Sequence, residues 1–370
     1  MRRTITAESN ILISGVTGLI GGEIFRRLIR RETGRIWPLI RPTEVESAEY
    51  RLSHRLIRSG DDGDFPDHVD VLRGDILKSD WGLTGLDRYD VTTGVDIIIH
   101  NAADTSFAAH SDTATTNVNG VKNLISLARA CKKTPLIVYM STASNVGDVS
   151  GRCLDEGEGC QPENHHFNEY THSKAIAEQL LRESGLPVLT LRPTIVLSAG
   201  LPDAKFARQI LWCVPLTKVF RALPLNPDAR LDIVDVGFVA DATVALMESA
   251  RRRSDCYHLS AGPAGCVRLA HLSACVDRYY NRKHPLNLFR PEDWTRAIHR
   301  ECVQSELRRK VFRSLKHYFP FFNMDVAYDN ARLINDLGTA MPTIQSPVDY
   351  LESLIPMIPN KAALQEAMIP

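Results

Sequence analysis

Residues 10–22 read NILISGVTGLIGG, from Asn10-Ile-Leu-Ile-Ser14 into Gly15-Val-Thr-Gly18-Leu-Ile-Gly21-Gly22. The first five suit a short apolar strand. The glycines then permit a tight turn and a close approach of pyrophosphate to a helix N-terminus, because no Cβ intervenes. Gly21 lets helix and sheet pack closely, and the helical pattern Glu23–Arg30 follows. Strand, glycine turn and helix together point to a dinucleotide-binding α/β unit. The spacing is GxxGxxG, not the more usual GxGxxG, so the strand–turn–helix context carries the reading; a plain glycine-packed turn is its competitor.

Working outward, Ile36–Ile40, Val69–Leu72, Val95–His100, Leu136–Met140 and Val188–Leu191 supply further strands. Between them Val45–Ser59 reads as a helix, with Ala48, Leu52 and Leu56 on one side at i,i+4 spacing. Val118–Ala130 and Tyr170–Glu183 are further helices. This alternation predicts a Rossmann-like, doubly wound α/β fold with a mainly parallel sheet covered on both faces. After about residue 195 the alternation fades. The expected organisation is a main region over 8–198, a substrate-lobe insertion over 199–230, a return to the main region over 231–262, and a smaller, mostly helical substrate lobe over 263–370 from which some segments dock back. Val236–Ser249 reads as a helix and Cys256–Ser260 as a strand of the return; Ser305–Lys316 and Ser346–Leu354 are helical patterns of the lobe.

The chain has 370 residues, with 44 basic and 44 acidic side chains and formal net charge +0, so no global field recruits nucleic acid or an anionic membrane. Its eight cysteines show neither CxxC nor zinc-like spacing and read as reduced thiols of a cytoplasmic protein, with a Cys153–Cys160 disulfide as the disfavoured option. No apolar run approaches the ~20 residues needed to span a bilayer, and the N-terminus lacks a secretory apolar core. The apolar, proline-punctuated Pro215–Leu225 suits a pocket rim or loop.

The end of the second strand discriminates between dinucleotides. NAD-preferring sites place an acidic residue there for the ribose diol. This chain has Arg41 instead, suited to clamp a 2′-phosphate, with Arg51 on the next helix as a second contact. NADPH/NADP+ is therefore the favoured cofactor. Gly74-Asp75-Ile76 follows the third strand, where an acceptor and an amide could recognise adenine. His100-Asn-Ala-Ala103 follows the fourth, leaving room for the cofactor, with His100 itself a packed histidine.

Tyr170-Thr-His-Ser-Lys174 places a phenol and an ammonium on one helix face. The charge makes the phenol a better proton donor, as a carbonyl receiving hydride requires. Thr142, just beyond the fifth strand, puts a hydroxyl at the same sheet edge. Chance supplies Tyr and Lys four apart in many helices, a strand-end cap explains Thr142 alone, and His172 faces elsewhere. It is the joint placement that points to a reductase.

With these pieces the chain resembles the extended short-chain dehydrogenase/reductase superfamily, and within it the male-sterility branch of fatty acyl-CoA and thioester reductases. The matching stretches are GVTGLIGG at 15–22, LIRP at 39–42, GDILKSDWGLT at 74–84, HNAADTSF at 100–107, TNVNGVKNL at 116–124, STAS at 141–144 and NEYTHSKAIAEQLL at 168–181, with Arg192-Pro193 and Asp232–Val236 beyond. The resemblance implies Thr142, Tyr170 and Lys174 as the catalytic hydroxyl, tyrosine and lysine. It implies Asn117 as the asparagine that stabilises the local backbone or holds a relay water. The implied cofactor residues are Gly15, Thr17, Gly18, Leu19, Ile20, Gly21, Arg41, Arg51, Asp75, Ile76, Asn101, Ala102 and Ala103, together with Tyr170 and Lys174. Many relatives carry an aromatic after STA where this chain has Ser144 followed by Asn145.

The implied reaction is NADPH-dependent reduction of an acyl thioester, on coenzyme A or on an acyl or peptidyl carrier protein, to an aldehyde or onward to an alcohol. Alternatives are a ketone or aldehyde reductase, a sugar-nucleotide epimerase or dehydratase, and a non-enzymatic dinucleotide sensor. Phe206, Trp212, Phe220, Phe289, Trp294 and Phe321 are candidates for an acyl channel, against the plainer reading that they build the lobe's core. Lys218, Arg221 and Arg230 are candidates for a pantetheine or coenzyme A phosphate, or a solvated rim.

Overall fold

A computed structural model describes residues 4–31, 34–58, 60–107, 112–198 and 213–358. Seven strands form one sheet: β1 (Ile11–Ser14), β2 (Ile36–Ile40), β3 (Leu72–Arg73), β4 (Ile97–His100), β5 (Leu136–Met140), β6 (Val188–Pro193) and β7 (Cys256–Leu259). The order is β7-β6-β5-β4-β1-β2-β3, every pairing parallel. The Rossmann-like doubly wound fold read from the alternation is therefore present, and the strand order reverses between β1 and β4. That reversal opens a crevice at the C-terminal strand edge.

The helices on its faces are α1 (Leu19–Leu28), α2 (Ala48–Arg58), α3 (Gly85–Gly94), α4 (Thr113–Ala130), α5 (Glu169–Glu183) and α6 (Val236–Glu248). Side chains alternate across β1, so the two faces build different cores. Ile11 and Ile13 pack with Ile24, Phe25 and Leu28 of α1 and with Phe238 and Met247 of α6. Leu12 joins Trp37, Trp81 and the α4 residues Val121, Leu124 and Leu127 on the other face. Ala48, Leu52 and Leu56 of α2 are buried together, as their spacing requires.

Several boundaries differ from the sequence reading. Helix α1 begins at Leu19 instead of Glu23, because Gly18 is its N-cap and the glycines Gly21 and Gly22 lie within it. Helix α4 begins at Thr113, five residues before Val118, and α2 begins at Ala48, not Val45. The third strand is shorter and later than Val69–Leu72; Val69 makes only an isolated bridge to Ile36. Helix α3 carries little helical signal in its sequence, since glycines bound it and its inward face holds little beyond Val91 and Thr92.

A second core gathers Leu197, Leu216, Phe220, Leu223, Leu231, Leu272, Val311, Leu315, Leu351 and Leu354. Pro215–Leu225 is thus largely interior to this lobe, not a rim: Leu216, Phe220 and Leu223 are buried because they supply its apolar mass. Strand Ile195–Leu197, which follows β6 closely in the chain, pairs in parallel with Ile233–Asp235 as a separate two-stranded sheet, and its Leu197 enters this second core. Downstream, Ala327–Tyr328 pairs with Cys153–Leu154, and Leu333 and Leu337 enter the main core. All eight cysteines are free, Cys153 exposed and Cys160 buried. Among the described residues no helix is long and apolar enough to cross a membrane.

Candidate active site

The C-terminal ends of β1, β4, β5 and β6 open on a cleft of about 610 Å³, within the range of small-molecule and cofactor sites. Its floor is the turn after β1. Gly15 has φ +78, a left-handed backbone natural to glycine. A Cβ there would lie 2.6 Å from Ala102 N and 2.8 Å from Asn101 C, so the turn rests directly on the segment after β4. A Cβ on Gly21 would meet Asn101 Nδ2 at 2.7 Å. These close approaches leave a smooth backbone cradle facing the start of α1, the arrangement that receives a pyrophosphate.

Thr142, Tyr170 and Lys174 line the same cleft. Helix α5 presents the last two; its N-cap Asn168 accepts from Thr171 N at 2.9 Å, setting where the helix begins. Lys174 Nζ donates to Met140 O at 2.5 Å and stands 4.3 Å from the centroid of the Tyr139 ring. Burial draws its pKa down to about 7, opposed by Glu178. Burial pushes Tyr170 up to about 12, countered by a hydrogen bond with Thr142. Thr142 Oγ1 also accepts from Ser144 N at 3.3 Å, so the strand-end cap and the cleft-facing hydroxyl belong to one residue.

Of the cofactor candidates, Gly15, Thr17, Gly18, Leu19, Ile20, Arg41, Arg51, Asp75, Ile76, Asn101, Ala102 and Ala103 all line the cleft, and Gly21 lies packed beneath it. Arg41 is exposed there, while Arg51 donates to the Arg41 carbonyl, which holds the two together at one end. Asp75 Oδ1 accepts from Leu77 N at 3.0 Å. Asn117 stands apart from the lining. Its amide accepts from Asp104 N at 2.9 Å and donates to Asp104 O at 3.0 Å and to Ser173 Oγ at 2.9 Å, so it locks backbone. His100 is packed between Trp81 and Tyr139, with Nδ1 2.9 Å from Ser14 Oγ; burial holds its pKa down at about 3.

Sequence reading missed other parts of the site. Arg55, 3% exposed, donates to Gly18 O at 3.3 Å and buttresses the glycine turn from α2. Phe107 stacks on Tyr170 with ring centroids 5.9 Å apart and also meets the rings of Tyr318 and Phe321. Thr194, Ile195 and Val196 form a further wall. The rule that ligands collect beyond strand ends could have found Thr194; nothing local in the sequence pairs Phe107 with Tyr318.

Among the acyl-channel candidates within the described residues, only Phe321 lines the cleft; Phe220 is buried in the second core, and Phe289 and Trp294 pack on each other. Phe206 and Trp212 lie outside the described residues. Arg230 pairs with Asp325 at 2.8 Å and Lys218 lies 3.7 Å from the Tyr280 ring centroid, so neither presents an uncommitted cation.

Residues 13–243 match the family model described as male sterility protein, an NAD-binding family. A nonribosomal peptide synthetase of Aspergillus flavus is 27% identical over 287 residues, covering 72% of this chain but only 26% of that protein. An alcohol-forming fatty acyl-CoA reductase of Simmondsia chinensis is 22% identical over 352 residues, covering 75% of this chain and 71% of that one. Among solved structures, a thiolation-reductase di-domain from an archaeal non-ribosomal peptide synthetase superposes with TM-score 0.74 at 20% identity, over 96% of this chain and 76% of that one. The cleft and the family match agree on a nicotinamide dinucleotide as cofactor.

Proposed function

The chain belongs to the male sterility protein family, and from that premise we propose that it reduces acyl thioesters to aldehydes, or onward to alcohols, with NADPH. The observation that carries the reading is the convergence of Thr142, Tyr170 and Lys174 on the cleft floored by the glycine turn. Gly15, Gly18, Asn101 and Ala102 would hold the cofactor's pyrophosphate and spine, and Asp75 and Ile76 its adenine. Arg41, with Arg51 behind it, favours the 2′-phosphate of NADPH over the bare diol of NAD. When bound, the nicotinamide supplies the hydride.

The chain's own residues do the rest. Thr142 and Tyr170 donate hydrogen bonds to the thioester carbonyl oxygen, worth roughly 10²–10³ in rate for one such donor. As charge grows on that oxygen, Tyr170 is placed to give it a proton. Lys174 in its charged form stabilises the resulting phenolate and thereby brings the Tyr170 pKa down from its high resting value. Collapse of the hemithioacetal then expels the thiol. Asn117 supports the neighbouring backbone through Asp104 and reaches Ser173 on the helix that carries Tyr170 and Lys174. The relatives named above suggest coenzyme A or a carrier protein as the thiol, delivered past Phe107, Tyr318 and Phe321.

The test is incubation with NADPH and a panel of acyl-CoA, carrier-bound thioester, ketone and aldehyde substrates, with products identified by mass. Thioester consumption with aldehyde or alcohol release is expected, and reduction of ketones alone refutes the assignment. Tyr170→Phe should fold, bind NADPH and lose roughly 10²–10⁴ in kcat.

A further inference from the structure

Behind the face that carries Thr142 lies a buried charged cluster. Glu178, one helical turn beyond Lys174 on α5, is 5% exposed, and its carboxylate receives the guanidinium of Arg192 from β6, itself 2% exposed. Arg192 also donates to Glu158 O at 2.6 Å. Glu178 Oε2 accepts from Ser141 Oγ at 2.6 Å and from Asn145 Nδ2 at 2.5 Å. Ser141 precedes Thr142 in the chain, and Asn145 lies in the short turn that Thr142 caps. Donors from β6, from the end of β5 and from the turn after it thus meet on one carboxylate of α5.

We propose that Glu178 is a positioning residue: held by Arg192, Ser141 and Asn145, it fixes the end of β5, and with it the Thr142 hydroxyl, against the helix that carries Tyr170 and Lys174. The inference rests on the reductase reading of those three residues. A buried ion pair is weak evidence for stability, because desolvation offsets its attraction. Its directional content is clearer here: several donors aimed at one carboxylate allow few relative placements of the elements that carry them. The cluster also gives the amide nitrogen of Asn145, 0% exposed, an anion to donate to, while its Oδ1 is buried without a hydrogen-bond partner.

Glu178 has a second effect. The titratable groups facing Lys174 are Glu178 and Tyr170 on its own helix, Tyr139 beneath it on β5, and His100 on β4. Of these Glu178 is the carboxylate, and it supports the charged ammonium against burial.

Removing Glu178 alone would strand the Arg192 charge, so the decisive variants are the pair Glu178→Gln with Arg192→Met, and separately Ser141→Ala. NADPH binding is followed by fluorescence from about pH 6 to about pH 9, alongside kcat over the same range. In the double variant the titration assigned to Lys174 should fall by about half a pH unit or more. Ser141→Ala, which strands no charge, should lower kcat roughly tenfold while NADPH affinity and melting temperature stay near wild type. Unchanged kcat and unchanged pH midpoints in folded variants would overturn the proposal, whatever the loss in melting temperature. If the wild-type protein reduces no thioester, the functional reading fails, yet the pH dependence of NADPH binding still decides the role of Glu178.

Discussion

Alanine at Gly15 should damage the protein in two separable ways. The residue has φ +78, a conformation that costs an L-residue roughly 1–2 kcal/mol. Its new Cβ would also sit 2.6 Å from Ala102 N and 2.8 Å from Asn101 C, both backbone atoms that cannot swing aside. Forcing such an overlap costs about 1–3 kcal/mol more, for a total of roughly 2–5 kcal/mol. Gly185, just beyond α5, supplies the control: its φ is +74, but no atom lies within 4 Å of a Cβ built there. Gly185→Ala should therefore show the backbone cost alone. In melting temperature the two should differ by several degrees, at roughly 2–4 °C per kcal/mol or somewhat less in a chain of this length. NADPH affinity, measured by fluorescence titration, should fall at least about tenfold in Gly15→Ala, because relief of the overlap pushes the turn and the Asn101–Ala103 segment apart. It should be unchanged in Gly185→Ala. Equal melting temperatures and equal affinities for the two variants would refute the argument that the turn rests on that segment.

Two other outcomes follow from the site. His100 stays neutral in the folded protein down to about pH 3, whereas the unfolded chain takes up its proton near the ordinary value of 6.5. Its contribution is therefore full above pH 6.5 and lost on acidification, so the stability advantage of wild type over His100→Asn should shrink by about 2 kcal/mol between pH 7 and pH 5 in urea titrations; a constant difference would show that the ring charges freely in place. Phe107→Ala removes ring contacts to Tyr170, Tyr318 and Phe321. At about 0.5–1.5 kcal/mol for each such contact, it should lower kcat/KM for apolar acyl thioesters roughly tenfold, with NADPH affinity retained.

What the chain discloses before folding is uneven, and the reason is distance along the sequence. The glycine turn and the Tyr170–Lys174 pair are local patterns, each contained in one element, and each lines the cleft. Arg41 is equally local, standing at the end of β2. Trp81 is harder: it sits in a short turn where Asp80 and Trp81 have φ of 48 and 56, a conformation that polar surroundings gave no reason to expect for a fully buried aromatic. The stacking of Phe107 on Tyr318, and the convergence of Ser141, Asn145 and Arg192 on Glu178, join positions from different elements. No periodicity encodes those meetings. The two-residue pairings outside the main sheet leave no local signal for a related reason, since pairing such as Ala327–Tyr328 with Cys153–Leu154 needs both partners already in place.

That last pairing belongs to a stretch that clasps the dinucleotide half from outside. Asp336 accepts from Tyr257 Oη at 2.5 Å and from Arg253 N at 2.7 Å, Asn330 donates to Ser260 O at 2.9 Å, and Leu333 is wholly enclosed. Residues as far along as Leu337 must therefore leave the ribosome before the nucleotide-binding half can close its own interior. Cutting the gene near residue 198 to isolate that half would yield a protein with a raw flank, prone to aggregate for want of its distant clasp.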